Sequence, residues 1–509
     1  MTKNNPYQKL ISKLTEKKYH CIFLKLPINE IVLSSDSKNE YKIHLKKFHD
    51  LSPIIFNSLD DDGILWIVTD DLYSNGILKK ISFDISSILS KSNFLLRNMI
   101  IWYNENGKKL PQDLVSSYST IIFSTKKKNY DFDLDSAREP HIWKDFEWGG
   151  GRRSRYNPKG KNPSNLWLKT RSEKGKTLQH IPLTTEKMIE RCLLLSNIKN
   201  NNVLIYSDEK FPNLEKSFPK SITWEINSKI NHKIKSNSIL GNKIVQSNPL
   251  NKISNKIINK TSESMDDIYD NTVQLVVTSP PYWGLRNYGI KEQIGYDDTY
   301  EEYLDRLNLV WKECFRVLKE SGTLWVNIGK RLIDNNMILF ANDIAESASQ
   351  IGFTLKDIVI WHKPVFVPTS GKNNLTDRYE HILFFSKNKK KYYFNSDVLN
   401  NVEDYLDLST TNPSKNIWRI HRRIGNIGKK IQIVKKGNQI EHTAVYPDEL
   451  VRRIIESSSQ PKDLVLDPFA GSGTTLSTAN KLDRTWIGYE LNKDYNQLIR
   501  WRLNSDTIK

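Results

Sequence analysis

The 509-residue chain is poor in cysteine, with only Cys21, Cys192 and Cys314, far apart and with no CxxC pair. That argues against a cysteine zinc site or a disulfide framework and fits a reducing compartment. Long apolar runs are missing too. No stretch of about 18 apolar residues offers a membrane span. The polar, Lys-rich start from Met1 to His20 lacks the apolar core of a secretory leader. A cytoplasmic location with no membrane partner is expected, and no metal. Acidic residues fall short of basic ones, 58 against 76, for a formal net charge of +18. So basic a chain is expected to meet a polyanion. Aromatic residues, by contrast, are plentiful (13 Trp, 22 Tyr, 18 Phe), enough for large cores and unlike a disordered chain.

The chain also resembles itself. Gly322-Thr-Leu-Trp-Val326 matches Gly63-Ile-Leu-Trp-Ile67, and Ile358-Val-Ile-Trp361 matches Met99-Ile-Ile-Trp102, both at an offset of 259. Asp343 and Phe353 fall opposite Asp84 and Phe94 at the same offset. Further on, Tyr379 to Phe384 aligns with Tyr118 to Phe123, and Asn412 to Trp418 with Asn162 to Trp167, one residue shorter. His442, Arg453, Ser458 and Val465 pair with His180, Arg191, Ser196 and Val203 at an offset of 262. Two copies of one domain are expected, 1–215 and 256–509, joined by a polar, Lys- and Asn-rich linker over 216–255.

In the second copy, apolar runs at Val273 to Val277, Thr323 to Ile328, Ile358 to Trp361, His381 to Phe385, Asp463 to Asp467 and Thr485 to Tyr489 predict strands. Helical spacing predicts helices over Thr299 to Leu318, Ile338 to Ile351, Asp448 to Ser457 and Ser472 to Leu482. This alternation implies an α/β fold with doubly wound, mainly parallel sheets, one per copy.

Two segments carry chemistry. Val465-Leu-Asp-Pro-Phe-Ala-Gly-Ser-Gly-Thr-Thr475 takes a strand into a glycine loop and then a helix, at the sheet edge where α/β folds bind cofactors. No Lys follows the glycines, so it is not a P-loop. Glu490 closes the next strand, 23 residues beyond Asp467, where a carboxylate can accept both hydroxyls of a ribose. The other segment is Thr278-Ser-Pro-Pro-Tyr-Trp283. Prolines fix the backbone and leave carbonyl acceptors without N–H donors. Ser279 and the Pro280 carbonyl could hold an amino group, and Tyr282 could stack on an extruded base.

These segments resemble the amino-methyltransferases of bacterial restriction–modification and phage systems. Asp467 to Thr474 resembles the family's cofactor motif and Ser279-Pro-Pro-Tyr282 its catalytic tetrapeptide, while His442 to Glu449 resembles the segment that completes the methionine side of the pocket. Gly322 to Asn327, Trp361-His-Lys-Pro364 and Arg378-Tyr-Glu-His381 also fit, over nearly all of 256–504. The catalytic motif precedes the cofactor motif, the order of the beta group. The resemblance implies two Rossmann-like methyltransferase domains in a pseudo-dimer, a monomeric chain that uses S-adenosylmethionine, and double-stranded DNA as partner, with a cognate restriction endonuclease as a further one. It assigns catalysis to Ser279, Pro280, Pro281 and Tyr282. Cofactor binding falls to Thr278, His442, Ala444, Pro447, Asp467, Pro468, Phe469, Gly471, Ser472, Gly473, Thr474 and Glu490. Ser-Pro-Pro-Tyr leans towards N4 of cytosine, with N6 of adenine as the alternative. An RNA or protein-amide methyltransferase and a non-catalytic DNA-binding subunit are rival readings. In one departure, Lys256-Ile-Ile-Asn-Lys260 lacks the expected Gly-Asp pair.

The first copy is expected to be catalytically silent. Ile205 stands opposite Asp467, and Glu209 and Phe211 replace the two glycines. Its insertion Gly149-Gly-Gly-Arg-Arg-Ser-Arg-Tyr156 offers Arg152, Arg153 and Arg155 as DNA contacts. In the second copy Lys389, Lys390, Arg422 and Arg423 are similar candidates, within a recognition region of about 387–440.

Overall fold

A computed structural model describes residues 7–26, 38–74, 76–103, 114, 116–139, 159–160, 162–171, 179–181, 183–198, 201–218, 222–226, 254–363, 375–401, 416–420, 431–435, 438–442 and 445–505. Two large sheets organise it. The first contains β1 (Tyr19–Lys25), β2 (Leu59–Thr69), β3 (Leu95–Tyr103), β4 (Tyr118–Thr125), β5 (Leu166–Trp167), β6 (Val203–Ser207) and β7 (Ile222–Ile226), in the order β7-β6-β1-β2-β4-β3-β5. The second contains β8 (Lys256–Ile258), β9 (Val273–Thr278), β10 (Leu318–Ile328), β11 (Thr354–His362), β12 (Tyr379–Ser386), β13 (Ile417–Arg419), β14 (Leu464–Asp467) and β15 (Thr485–Tyr489), in the order β8-β15-β14-β9-β10-β12-β11-β13. Apart from β8, the strands correspond one to one. In each sheet a single strand, β4 or β12, runs antiparallel to both neighbours. The remaining pairs are parallel, as expected of a mainly parallel, doubly wound pair of sheets.

Local chemistry explains the helices around the second sheet. Tyr300–Val317 starts at a capping box, in which Thr299 accepts from the Glu302 backbone and Glu302 from the Thr299 backbone. It buries Tyr303, Leu307, Val310, Trp311 and Cys314 along one stripe. Phe340–Ile351 ends at Gly352, whose φ of 127° suits glycine. Both helices pack on the β10 face that carries Leu324, Val326 and Ile328. Trp325 points to the opposite face and stacks on Phe384 at 4.0 Å.

The repeat extends to single contacts. Trp66 donates its indole N–H to Ser196 Oγ (2.8 Å), and Trp325 donates to Ser458 Oγ (3.0 Å). Across the junction Arg97 donates to the Asn335 carbonyl (3.0 Å) while Lys356 donates to the Gly76 carbonyl (2.8 Å), each pair the other's counterpart. One apolar core runs through both halves, joining Ile22, Leu65 and Phe83 to Val276, Leu324 and Phe340. The arrangement is that of a homodimer with self-complementary contacts, here within one chain.

The expected linker needs correction at its start. Ile222–Ile226 pairs in parallel with β6 from Val203↔Ile222 to Ser207↔Ile226, so the first sheet reaches Ile226. Lys256–Ile258 at the other end belongs to the second sheet.

Candidate active site

The carboxyl ends of β9, β14 and β15 converge on a cavity of about 330 Å³. Ser279, Pro280, Pro281 and Tyr282 line one side; Pro468, Phe469, Gly471, Ser472, Thr474 and Glu490 line the other. The two motifs singled out in the sequence therefore share one chamber. Its volume lies in the usual range of small-molecule sites.

Asp467 has a different place from the one expected. It is fully buried and absent from the cavity wall. Its Oδ1 accepts from Thr278 Oγ1 (2.8 Å) and the Phe469 N–H (3.0 Å); its Oδ2 accepts from Thr475 Oγ1 (2.6 Å) and the Tyr446 hydroxyl (3.1 Å). The Thr475 and Tyr446 hydroxyls also bond each other (2.5 Å), so one of the two spends its single proton there and three donors hold the carboxylate at a time; Asp467 organises the loop. Burial pushes its carboxyl above the ordinary range against the pull of those donors. Thr278 is spent on the same hub, and neither it nor Gly473 nor Pro447 lines the cavity. Gly473, at φ 79°, caps the helix Thr474–Lys481, and a Cβ there would come within 2.9 Å of Ile499. Pro447 caps the helix Asp448–Ser458.

Glu490 is placed to receive a ligand. Its Oε2 accepts from the Gly471 N–H (2.7 Å) and its Oε1 from the Asn492 N–H (2.8 Å), each oxygen keeping a second lone pair. Burial, with Asp467 adding, pushes its carboxyl up to about 7, although both N–H donors pull it down. The segment without the Gly-Asp pair still supports it. Ile258 accepts from the Glu490 N–H (3.0 Å), and Asn259 donates to the Glu490 carbonyl (2.9 Å). Ser262 Oγ lines the same cavity, buried and with no partner among the described residues. A two-acceptor carboxylate, an orphaned hydroxyl and the Phe469 ring make a donor and stacking set that fits an adenosine-bearing methyl donor.

At the base end, the Pro281 carbonyl is taken by the Tyr303 hydroxyl (2.9 Å). The Tyr282 ring lies against Gly329, where a Cβ would come within 2.9 Å of it. The Tyr282 hydroxyl donates to Glu380 Oε2 (3.1 Å), which also accepts from Asn327 Nδ2 (2.8 Å). Burial, then the charge of Glu380, pushes that hydroxyl well above its ordinary range, while Ser279 pulls it down. It therefore stays protonated. Asn327 lines the cavity, and its Oδ1 is buried with no partner among the described residues. Glu380, Asn327, Tyr446 and Thr475 were not singled out individually from the sequence.

Other expected residues fare differently. The His442 side chain, Ala444, Arg152, Arg153, Arg155, Arg422 and Arg423 lie outside the described residues. Val445 and Tyr446, from the same expected segment as His442 and Ala444, do line the cavity. The topology places Lys389 and Lys390 away from the cavity. They follow β12, whose end Ser386 pairs with Thr323 at the start of β10, and the Lys387 N–H bonds the Gly322 carbonyl. The cavity sits at the other end of β10, roughly 20 Å away at about 3.3 Å per residue.

The first half differs at the equivalent edge. In matching register Lys25 stands where Ser279 stands, and Ile205 where Asp467 stands. Lys25 and Asp208 form a 2.8 Å ion pair at that edge.

The chain matches the family described as DNA methylase over residues 19–204 and 273–500, one segment in each half. It is 31% identical over 264 residues to the type II methyltransferase M.Cfr9I of Citrobacter freundii, covering 46% of this chain and 82% of that protein. It is 32% identical over 270 residues to M.XycI of Xanthomonas campestris pv. cyanopsidis, covering 47% of this chain and 84% of that one. Among solved structures, the cytosine-N4-specific PvuII DNA methyltransferase resembles it at 21% identity and a TM-score of 0.40, covering 49% of this chain and 89% of that chain. No helix among the described residues is long and apolar enough to cross a membrane. The chain thus belongs to the DNA methylase family of amino-methyltransferases, a family that uses S-adenosylmethionine.

Proposed function

We propose that the chain methylates N4 of cytosine in double-stranded DNA, in a type II restriction–modification or phage-defence setting. The observation that carries the reading is the shared chamber, with Ser279 to Tyr282 facing the glycine loop and Glu490 across it. S-adenosylmethionine, when bound, supplies an electrophilic methyl group. The chain's own groups do the rest. Glu490 and Ser262 hold the ribose end, and Phe469 covers the ring system. A flipped base enters against Tyr282. Its amino group donates to Ser279 Oγ and the Pro280 carbonyl, which aims the nitrogen lone pair. Asn327 Oδ1 gives that end of the chamber a further acceptor. Cytosine, adenine and guanine carry an exocyclic amino group, and thymine does not. Acceptors at this end therefore favour an amino-bearing base. Positioning supplies most of the rate.

Ser rather than Asp or Asn before Pro-Pro-Tyr supports cytosine, by the family resemblance. The relatives named as type II methyltransferases support the setting, with a cognate endonuclease as partner. The internal pseudo-dimer supports a monomeric chain, with residues 1–226 catalytically silent and 254–505 active. Tritium transfer from labelled S-adenosylmethionine to DNA, RNA and protein, followed by base-resolution sequencing of the DNA, tests the reading. N4-methylcytosine at one site is expected. N6-methyladenine would overturn the base assignment, and label only in RNA or protein would overturn the substrate. A Ser279→Ala, Tyr282→Ala double variant should bind S-adenosylmethionine and transfer nothing.

A further inference from the structure

We propose that Asn165, a residue of the silent half, is a positioning residue for methyl transfer in the active half, acting through a chain of buried and half-buried polar groups that ends on Tyr282. The inference rests on Tyr282 lining the base end of the chamber. It does not depend on which base is methylated.

Every polar atom of Asn165 is committed, and the residue is fully buried. Its backbone N–H donates to the Thr376 carbonyl (3.0 Å), and its carbonyl accepts from the Ile101 N–H (2.9 Å). Its side-chain oxygen accepts from the Arg378 N–H (2.9 Å), and its side-chain nitrogen donates to Asp377 Oδ1 (3.0 Å). From Asp377 the chain continues. Lys363 Nζ bridges Asp377 Oδ2 and Glu380 Oε1, both at 3.2 Å, and Glu380 Oε2 holds the Tyr282 hydroxyl. Lys330 Nζ pairs with Asp377 Oδ1 (3.2 Å) and donates to Asn98 Oδ1 (3.4 Å), a second contact from the silent half. Lys330, Asp377 and Glu380 all line the chamber.

Such a chain is sensitive to its last member. Each buried charge needs partners on both sides, because an unpaired one is costly. Burial alone would push Asp377 up; Lys330 and Lys363, helped by the Asn165 amide, hold it down to about 2. Burial works against the charge on Lys363, and Glu380 and Asp377 overcome it. His381, also near Asp377, is pushed down to about 4 by burial and stays neutral. Exchanging the Asn165 donor for a carboxylate would set two acids side by side and pull Lys363 towards the silent half, away from Glu380. Tyr282 would lose its fixed orientation.

The repeat supplies a matched control. Asn416 is the counterpart of Asn165: it accepts from the Ser117 N–H (3.0 Å), as Asn165 does from Arg378, and donates to Asp357 Oδ1 (3.1 Å), the counterpart of Asn98, to which Asn165 also donates (3.5 Å). Among the described residues, no ion pair joins it to the chamber. Asn165→Asp keeps the acceptor for the Arg378 N–H and loses only the donor. We expect Asn165→Asp to lower kcat about tenfold at pH 8, the effect of roughly one unit of pKa. Part of the loss should return as pH falls and a proton is shared between the two acids. Affinity for S-adenosylmethionine, by titration calorimetry, should stay within about twofold. Asn416→Asp should leave kcat near wild type at every pH. Asn98→Ala, which removes the acceptor for Lys330 and a second, longer acceptor (3.5 Å) of the Asn165 amide, should give a smaller loss of kcat and serves if Asn165→Asp folds poorly. Equal kcat losses in Asn165→Asp and Asn416→Asp, or wild-type kcat across the pH range in both Asn165→Asp and Asn98→Ala, would overturn the proposal. The base that the wild type labels is read separately and decides only the base assignment.

Discussion

Tyr379, in the second half, donates its hydroxyl to the backbone carbonyl of Met99 in the first half at 2.7 Å. Tyr118 returns the bond to the Ile358 carbonyl, also at 2.7 Å. Met99 and Ile358 are counterparts in the repeat, and so are the two tyrosines. Both hydroxyls are buried, so each bond closes a polar pair that water cannot replace. Tyr379→Phe leaves a buried carbonyl unpaired and should cost about 1 to 3 kcal/mol. Because the halves share one apolar core, the loss should appear as a lower midpoint of a single calorimetric transition. Two separate transitions, only one of them shifted, would show that the halves fold independently.

The ion pair Lys25–Asp208 occupies the edge where the other half presents Ser279 to the cofactor loop. The buried Ile205 replaces the hydrogen-bonded hub of Asp467. Titration with S-adenosylmethionine should therefore give one site per chain. A Lys25→Ala, Asp208→Ala double variant should still give one, because removing the pair does not restore the hub. A second site in either protein would contradict the assignment of silence.

How much of this could be read from the chain itself depends on how local each signal is. Strand ends running into Ser-Pro-Pro or Gly-Ser-Gly are written in consecutive residues, and the repeat offsets align whole strands, so the chamber's two walls were legible. The Asp467 hub was not. Tyr446 lies 21 residues before Asp467 and has no motif of its own to announce that its hydroxyl turns inward. Glu380, Lys363 and Asp377 look like ordinary solvated charges in one dimension, since burial is a property of the assembled sheets. Ile222–Ile226 was hidden by composition. The alternation of Ile222, Trp224 and Ile226 is a strand signal, but it adjoins a Lys- and Asn-rich stretch that reads as a connector.

Lys389 and Lys390 illustrate charge without position. They sit at the end of the second sheet away from the chamber, near Asn388 and Glu320. Lys389→Ala with Lys390→Ala should leave DNA affinity within about twofold and the salt dependence unchanged, whereas removing a lysine that neutralises a phosphate lowers the salt slope by about one. Filter binding across a range of salt concentrations checks this. A slope reduced by about two units would place DNA on that face.

Glu490 carries the clearest pH signature. Burial raises its carboxyl from 4.5 to about 7 in the unliganded protein. The folded state then binds more protons than the unfolded one between those values. The group's contribution to stability is full below about pH 4.5 and is lost as pH rises through about 7. Ligand binding runs the other way. Ribose hydroxyls donate to the ionised carboxylate and favour it, so binding releases a proton near neutrality. Affinity for S-adenosylmethionine should therefore strengthen about tenfold between pH 6 and 8, the change in ionised fraction for a group titrating near 7. The ligand's own amine titrates too, so the comparison is with Glu490→Gln, which keeps the shape and loses the titration. The variant should bind more weakly at pH 8 and show a flatter profile. Calorimetry in two buffers of different ionisation enthalpy should find a proton released by the wild type at pH 7 that the variant does not release. Identical proton release in both would mean that Glu490 does not hold the ribose.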